Sequence, residues 1–570
     1  MSNRLVKIIF AGGFIILIFT LFFFQIIKGN FFNSLSKKNC IRIIPLDSMR
    51  GEIFDRNGKI IVENKSSFDL SIVLQETDKD KALNQVSKIL GEDKDILEKE
   101  FKKNYAAPFI PAVIKKHISR NEIIKIEENK LDLPGVIIEK NYTRYYPFSS
   151  LCSHVLGYLS KIDKTRLQLL KPYGYNPTDL VGFSGIEEKY DYFLREAKGG
   201  MQIEVDHRGR LVSILGVRKP KDGASLYLTI DAAIQRIVEN SLIGKKGAVV
   251  IMSSKTGEIL ALASSPNFNP GWFISQNKDD RDRIKMLLKS KSSPLLNRAI
   301  SGVFPPGSIF KPVVSMAGLE TKKINLTKKF DCKGFMKVGA RNFGCWSIHG
   351  LQNMIEAIEH SCDVYFYNLG LILGPNLIAE YAQKFNLGEH TGIDLPNENK
   401  GLVPSPFWKR VKKFRGWFDG DTANFSIGQG DLLTTPIQMA VMINVFATNG
   451  LLVKPYIVKQ IGDVKKSPVI KKLTFKNNNN LQIVKEGLFG VVDRSDGTAH
   501  NLYMQDLSIA GKTGTAQVAG KESHGWFVGY LPADNPKISI CVFLENGGSG
   551  AASSYLTKKI IEDLQKESLI

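Results

Sequence analysis

The stretch Pro305-Pro306-Gly307-Ser308-Ile309-Phe310-Lys311 holds a hydroxyl and an amine at a spacing that can do chemistry. Two prolines and a glycine set a turn, and Val313, Val314, Met316 and Leu319 continue it with helical periodicity. Ser308 then falls in the first turn of a helix, with Lys311 three residues on and on the same face. A serine hydroxyl is a poor nucleophile until a neighbouring base takes its proton. A lysine can be that base only when uncharged, a state that burial and a second nearby cation both favour. The helix N-terminus adds a field suited to a developing oxyanion. By itself Ser-x-x-Lys is a weak signal. It also occurs at Ser34-Leu35-Ser36-Lys37, beside the apolar N-terminus, where it reads as decoration.

The strength of the signal lies in a set. Ser361-Cys362-Asp363 follows, and then Lys512-Thr513-Gly514-Thr515. Lys512 lies between Leu507-Ser508-Ile509-Ala510-Gly511 and Thr515-Ala516-Gln517-Val518, which reads as a strand. An earlier Lys255-Thr256-Gly257 is a decoy, because it precedes the serine and sits in a turn. A second cluster uses softer ligands. Three of the six cysteines and one histidine run Cys332-x12-Cys345-x3-His349-x12-Cys362, the number and kind of ligands a closed zinc site uses. A Cys332–Cys345 disulfide and free buried cysteines are the competing readings.

The elements that must hold these residues are legible in part. Ala248–Met252 and Ile259–Ala263 are apolar runs joined by a turn, and Trp526–Tyr530 and Ile538–Leu544 are two more strands. Helical patterns lie between the pairs. The C-terminal portion therefore reads as one α/β domain whose antiparallel sheet is made from both of its ends. Upstream, Asp55-Arg56-Asn57-Gly58 predicts a hairpin with a type I′ turn. Residues 75–130 carry helix-like spacing at Ile89-Leu90, Ile96-Leu97 and Ile123-Ile124, as in an α/β module. Residues 199–225, polar and glycine-containing, read as a linker, and Asn477–Asn480 as a loop tip.

Residues Ile8–Ile27 hold no charge, and twenty residues at about 1.5 Å each span about the 30 Å of a bilayer core. No small-residue cleavage site follows, so the run reads as an uncleaved anchor rather than a signal peptide. Arg4 and Lys7 precede it and Lys28, Lys37, Lys38 and Arg42 follow, so charge counting alone does not orient it. The other bounds are broad. A chain of 570 residues holds about two to four domains. With 43% apolar and 23% charged residues it is globular, which excludes a fibrous protein, a small disulfide scaffold and a many-pass membrane protein. The net charge of +21 comes from scattered lysines with no dense basic tract, so no nucleic-acid partner is expected.

The ordered trio matches the signature of penicillin-recognising serine enzymes. Together with Arg50–Gly58, Gly182–Glu187, Lys255–Ser264, Phe304–Pro312, Ile427-Gly428-Gln429-Gly430, Lys512–Gln517 and Glu545–Gly548, it makes the chain resemble the class B penicillin-binding proteins of rod elongation over nearly its whole length. The resemblance implies an α/β fold in three parts. These are a cytoplasmic stub and transmembrane anchor (1–28), an elongated α+β pedestal of the dimerisation-domain kind (29–222), and a β-lactamase-like transpeptidase domain (223–570) with an antiparallel sheet flanked by helices. It implies a peptidoglycan D,D-transpeptidase in the cytoplasmic membrane, with its domains on the outer side, that β-lactams block. Ser308 would be the acylated nucleophile, Lys311 its base, Ser361 a proton relay, and Lys512 the cation that keeps Lys311 neutral. Thr513, Gly514 and Thr515 would bind the donor carboxylate. Asp363 stands where many relatives have Asn, a form that fits the elongation branch rather than the division branch and leaves its own role open. Some relatives hold zinc with Asp among the ligands, which makes Asp331 a substitute for Cys332; no organic cofactor is implied. The implied partners are stem peptides, a SEDS-family glycosyltransferase and rod-complex membrane proteins. A D,D-carboxypeptidase, a β-lactamase-like hydrolase and a non-catalytic scaffold are the alternatives.

Overall fold

The computed structural model describes residues 3–32, 41–46, 48–105, 108, 110–175, 177, 179–195, 199–205, 211–275, 277–477 and 479–570. The decoy Ser34–Lys37, Lys38 and Cys40 lie outside the described residues. The N-terminal helix, Asn3–Phe22, continues as a π-helical turn through Ile27. Its stretch Lys7–Ile27 is long and apolar enough to cross a bilayer, and its side chains are exposed to the surroundings. That fits a single-pass membrane protein.

Contacts divide the chain into two units, one of 1–51, 64–145 and 195–223, the other of 52–63, 146–194 and 224–570. In the first, the expected helical spacing is present as Lys79–Leu90, Lys94–Asn104 and Arg120–Glu128. Asp78, Asp93 and Ser119 cap their N-termini, Ser119 within a capping box with Glu122. Leu83, Val86, Leu97, Phe101 and Ile126 from these helices close a core with Leu70, Ile72 and Ile114. The linker expected at 199–225 is instead largely sheet. Gly199–Val205 pairs with both Ile41–Leu46 and Leu211–Arg218, all antiparallel. Polar and apolar residues alternate along residues 201–205, whereas Leu211–Arg218 leaves Val212, Ile214, Leu215 and Val217 exposed. Ile203 is fully buried while Ser213 donates across the sheet to Glu204 at 3.0 Å.

The second unit is built on a five-stranded antiparallel sheet. Its strands are β1 (Gly247–Ser253), β2 (Ile259–Ser265), β3 (Ala510–Val518), β4 (Lys521–Leu531) and β5 (Ile538–Leu544), in the order β2-β1-β5-β4-β3. Both ends of the segment therefore meet in one sheet, as the apolar runs predict. Lys255-Thr256-Gly257 is the β1–β2 turn. The helices used below are α1 (Ala232–Ser241), α2 (Lys311–Glu320), α3 (Met354–Glu359), α4 (Asp363–Lys384) and α5 (Pro406–Lys413). They continue with α6 (Asp419–Ser426), α7 (Pro436–Ala447), α8 (Asn479–Asp493) and α9 (Gly550–Lys566). α1 and α9 pack on each other and on the sheet, and α7 packs on β1, β4 and β5. Every residue of α7 is buried, which explains why it shows no polar stripe.

Two local expectations change. In the hairpin at Asp55–Gly58 only Gly58 has positive φ, so the turn is not type I′. The Asp55 carboxylate accepts from the backbone of Asn57 and Lys59 and holds the turn instead. Of the asparagine run, Asn479 and Asn480 open α8 rather than forming a loop tip, and Asn478 lies outside the described residues. Asn477 accepts from Asn479 N, and Asn480 is buried with its amide donating to Glu320 at 2.6 Å.

A buried polar contact pins α7 to the sheet. Asn444 donates to Ser254 O at 3.1 Å and accepts from Ser539 Oγ at 2.8 Å, with all three residues fully buried. Asn444→Leu strands the Ser254 carbonyl, so it is expected to lower stability by about 1–3 kcal/mol, read as a lower denaturation midpoint. An unchanged midpoint contradicts this.

Candidate active site

Ser308 sits in a 3-10 turn, Gly307–Phe310, that runs directly into α2. Two glycines let other backbone close in on this turn. Gly428, at φ +73°, accepts the Gly307 N–H at 2.8 Å, and a Cβ there would overlap the Gly307 carbonyl. Gly514 of β3 lies under the turn, where a Cβ would stand 2.9 Å from Pro306 O. From inside, Phe310 stacks on Phe425 of α6 at 5.7 Å. The nucleophile candidate is therefore held between a loop, a strand and the core.

The second motif is made by the end of α3. Ser361 N donates to Ile358 O at 3.2 Å and Cys362 N to Ala357 O at 3.0 Å, with Ser361 left-handed at φ +52°. This is a Schellman cap with serine at the position glycine usually holds, a conformation that costs about 1–2 kcal/mol for an L-residue. The strained residue turns both its carbonyl and its hydroxyl to Lys311. Lys311 Nζ donates to Ser361 O at 2.8 Å, to Ser361 Oγ at 3.2 Å and to Asp363 Oδ1 at 2.7 Å. Asp363 opens α4, where the helix dipole favours its negative charge. Among the described residues no hydrogen bond joins Lys311 to Ser308.

Lys512 is fully buried on β3, and its side chain's one hydrogen bond among the described residues runs to Thr513 O at 3.3 Å. Burial, and then repulsion from Lys311, holds its amine well below the usual lysine range, with Asp363 opposing only in part. The expectation put the uncharged amine at Lys311. In the structure Lys311 has a carboxylate partner, and it is Lys512 whose charge is disfavoured. A cavity of about 900 Å³ opens above these groups, lined by Ser308, Ser361, Asp363, Thr513, Gly514 and Thr515. All three motifs thus reach one space.

Several other lining residues carried no signal in the sequence. Thr498 arrives on the loop after α8, and Thr513 Oγ1 donates to its hydroxyl at 2.9 Å. That loop is tied to the end of α3 by Arg494 with Glu359 at 3.5 Å and Asp496 with His360 at 3.0 Å. Gln429 donates to Thr515 O at 3.4 Å, and Phe343, Trp346, Tyr367 and Asn424 complete the mouth. Of these, only Gln429 lay in a segment the sequence singles out, Gly428-Gln429-Gly430.

The soft-ligand cluster also assembles. The ligand atoms of Cys332, Cys345, His349 and Cys362 all lie within 4.8 Å of one another. His349 Nδ1 is 3.5 Å from both Cys332 Sγ and Cys345 Sγ. Zinc bonds of about 2.3 Å to sulfur and 2.0–2.1 Å to nitrogen give tetrahedral S···N edges of about 3.6 Å, so the donor set fits zinc in kind, number and spacing. A hydrogen bond from Cys362 lowers the Cys345 thiol, while the same bond and then burial raise Cys362. Asp331 is exposed, 3.8 Å from Lys333, and is not in the cluster. Cys332 and Cys345 form no disulfide. Cys345 also accepts the Asp363 N–H at 3.3 Å, so the cluster touches the second motif directly.

Three acyl-transfer motifs meeting at the edge strand of an antiparallel sheet is the arrangement of the penicillin-recognising serine enzymes. Residues 247–566 match the penicillin binding protein transpeptidase domain family, and residues 45–228 the penicillin-binding protein dimerisation domain family. The peptidoglycan D,D-transpeptidase MrdA of Acinetobacter baumannii is 34% identical over 98% of this chain and 87% of its own length. A Helicobacter pylori penicillin-binding protein, PBP2, solved in complex with MreC, superposes with a TM-score of 0.83 at 28% identity, covering 93% of this chain and 99% of that one. A chain from a peptidoglycan synthase complex, solved in work on coordination of polymerization and crosslinking, superposes at 0.74 and 28% identity, covering 99% of this chain and 98% of that one. The chain belongs to the penicillin-binding protein transpeptidase family, in its class B, penicillin-binding protein 2 branch.

The Lys512 geometry predicts a trade of stability against reactivity. Its amine titrates below the ordinary lysine value of 10.5 in the fold, so the unfolded chain binds the proton more tightly and stability rises with pH up to that value. Lys512→Met is expected to raise stability at pH 7 by about 1–3 kcal/mol, a gain that closes as pH nears 10.5, while reaction at Ser308 is lost. Thermal unfolding from pH 7 to 10 checks this; a variant less stable at pH 7 contradicts it.

Proposed function

We propose that this peptidoglycan D,D-transpeptidase works through Ser308 as its acylated nucleophile. Ser308 Oγ attacks the carbonyl carbon of the penultimate residue in a donor D-Ala-D-Ala. Lys311, in its uncharged form, takes the hydroxyl proton. The backbone N–H groups of Ser308 and Thr515 receive the developing oxyanion. The C–N bond breaks, and the leaving D-alanine amine takes a proton passed through the Ser361 hydroxyl. An acceptor stem-peptide amine then attacks the ester carbonyl; Ser308 Oγ leaves and recovers its proton. Lys512, Thr513 and Thr515 hold the donor carboxylate, which meets a cationic amine more readily as its own charge enters the cavity. Asp363 is the counter-charge that fixes Lys311 at the second motif between turnovers. The observation that carries the reading is the convergence of all three motifs on one cavity, with Lys311 bonded to Ser361.

We further infer that Cys332, Cys345, His349 and Cys362 hold a structural zinc. When bound, the metal neutralises the thiolates and fixes Cys362, whose neighbours are Ser361 and Asp363. On this reading the residues beyond Lys28 work on the outer side of the cytoplasmic membrane, the side on which the crosslinked polymer lies. The partners we infer are rod-complex membrane proteins, as MreC is for the Helicobacter pylori relative, and a SEDS-family glycosyltransferase that makes the glycan strand, in keeping with the neighbour solved in a peptidoglycan synthase complex.

Fluorescent penicillin tests the nucleophile. The native chain is expected to label and to keep the label through denaturing electrophoresis, and Ser308→Ala to show none. Labelling that survives Ser308→Ala, or that turns over rapidly, contradicts the assignment. For the metal, elemental analysis is expected to find about one zinc per chain, lost in Cys345→Ser together with several degrees of thermal midpoint. Metal-free protein with unimpaired labelling contradicts the zinc site.

A further inference from the structure

The stretch Ser405–Phe418, SPFWKRVKKFRGWF, crowds aromatic and basic side chains onto one piece of surface beside the cavity. Phe407, Phe414 and Phe418 are 76%, 89% and 70% exposed, and Val411 is exposed with them. Single exposed apolar residues need no explanation, but three phenylalanines within twelve residues form a patch that marks a contact surface. The cations divide into two sets. Lys409 pairs with Asp421 at 2.6 Å, and Lys413 pairs with Asp431. Arg410, Lys412 and Arg415 are exposed and, among the described residues, have no carboxylate partner. The patch therefore offers rings together with unneutralised positive charge.

The segment is fixed rather than loose. Trp417 donates from Nε1 to Thr422 Oγ1 at 2.8 Å and packs edge-on against Phe425 at 6.2 Å. Phe425 is the residue that stacks on Phe310, next to the Ser308 turn. The surface is also continuous with the cavity. α6 begins at Asp419, its Asn424 lines the mouth, and Gly420 lies so close to Phe343 that a Cβ would stand 3.0 Å from the ring.

We propose that Ser405–Phe418 is the docking surface for the uncrosslinked peptidoglycan strand that the cavity processes. This rests on the transpeptidase reading above and names the part of the protein that meets the polymer outside the reacting groups. The C–H faces of pyranose rings stack on exposed aromatics, and free stem-peptide carboxylates suit arginine forks. A cationic surface at the mouth also raises the encounter rate of an anionic polymer. An anionic bilayer fits the segment less well. Interfacial helices separate their aromatic and basic faces. α5 does part its aromatic and basic arcs, but eight residues make a helix only about 12 Å long, and beyond it Phe414, Arg415 and Phe418 continue the exposed surface with rings and a cation intermixed.

The test uses the full chain in detergent micelles and two double variants, Phe414→Ala/Phe418→Ala and Arg410→Glu/Arg415→Glu. Penicillin is too small to need the patch, so its labelling rate is expected to stay within about twofold of native. Co-sedimentation with purified insoluble peptidoglycan, and crosslinking of uncrosslinked glycan strands bearing pentapeptides, are expected to fall about tenfold or more, with native binding weakening as salt is raised. Native sedimentation and crosslinking by both variants overturns the proposal while leaving the transpeptidase reading intact. A crosslinking defect confined to chain reconstituted in phosphatidylglycerol vesicles, absent in micelles and in phosphatidylcholine, also overturns it in favour of a membrane contact. Failure of the native chain to label with penicillin removes the transpeptidase reading itself.

Discussion

A lysine ammonium has three protons to place, and Lys311 gives all three to one short segment, Ser361–Asp363. Fully buried, it has no water to turn to, so the position of Ser361 and the position of the amine are set together. The strain at Ser361 makes sense in these terms. A glycine would satisfy the end of α3 with less cost but would bring no hydroxyl to the amine. The fold accepts a left-handed serine because the cap, the ammonium and the helix that follows all require the chain to turn at that residue.

A second buried amine sharpens the constraint. Lys311 and Lys512 repel each other within a dry part of the protein, and only Lys311 has a carboxylate at its side. Burial and that repulsion together disfavour the charge on Lys512. In the proposed mechanism an incoming carboxylate would favour the charged amine again, linking substrate arrival to the charge state of the site. The Cys/His cluster bears on the same residues, since Cys362 separates Ser361 from Asp363 and Cys345 accepts the Asp363 N–H. On the proposed mechanism, reactivity at Ser308 thus depends on groups held mostly by one another rather than by substrate.

Much of this was readable from residue order because the motifs are short and their elements local. Ser308 and Lys311 share one helical turn, and the apolar runs of β1, β2, β4 and β5 announce themselves as buried strands. The arrangement of the cysteine cluster was also visible in its spacing, but the exclusion of Asp331 was not, since that depends on which side of a short strand faces inward. What stayed hidden depends on partners far along the chain. The polar strands at 199–218 look like a linker until they are paired, and Asn480 looks exposed until Glu320 is brought to it. Thr498 has no local signature at all; its place at the cavity comes from ties to His360, Glu359 and Thr513. Nor does Ser-x-Asp by itself reveal that its carboxylate faces Lys311 rather than another cation.

The central claim is that a buried amine able to release its proton, and not merely a buried positive charge, makes Ser308 reactive. Lys311→Arg separates the two, because a guanidinium keeps the charge and pairs well with Asp363 but does not deprotonate. The direct measurement is the second-order rate of Ser308 acylation by penicillin, with the thermal midpoint followed alongside. The account predicts that acylation falls by a factor on the order of 10³ or more while the midpoint moves by only a few degrees. An arginine variant that acylates within about tenfold of the native rate would contradict it.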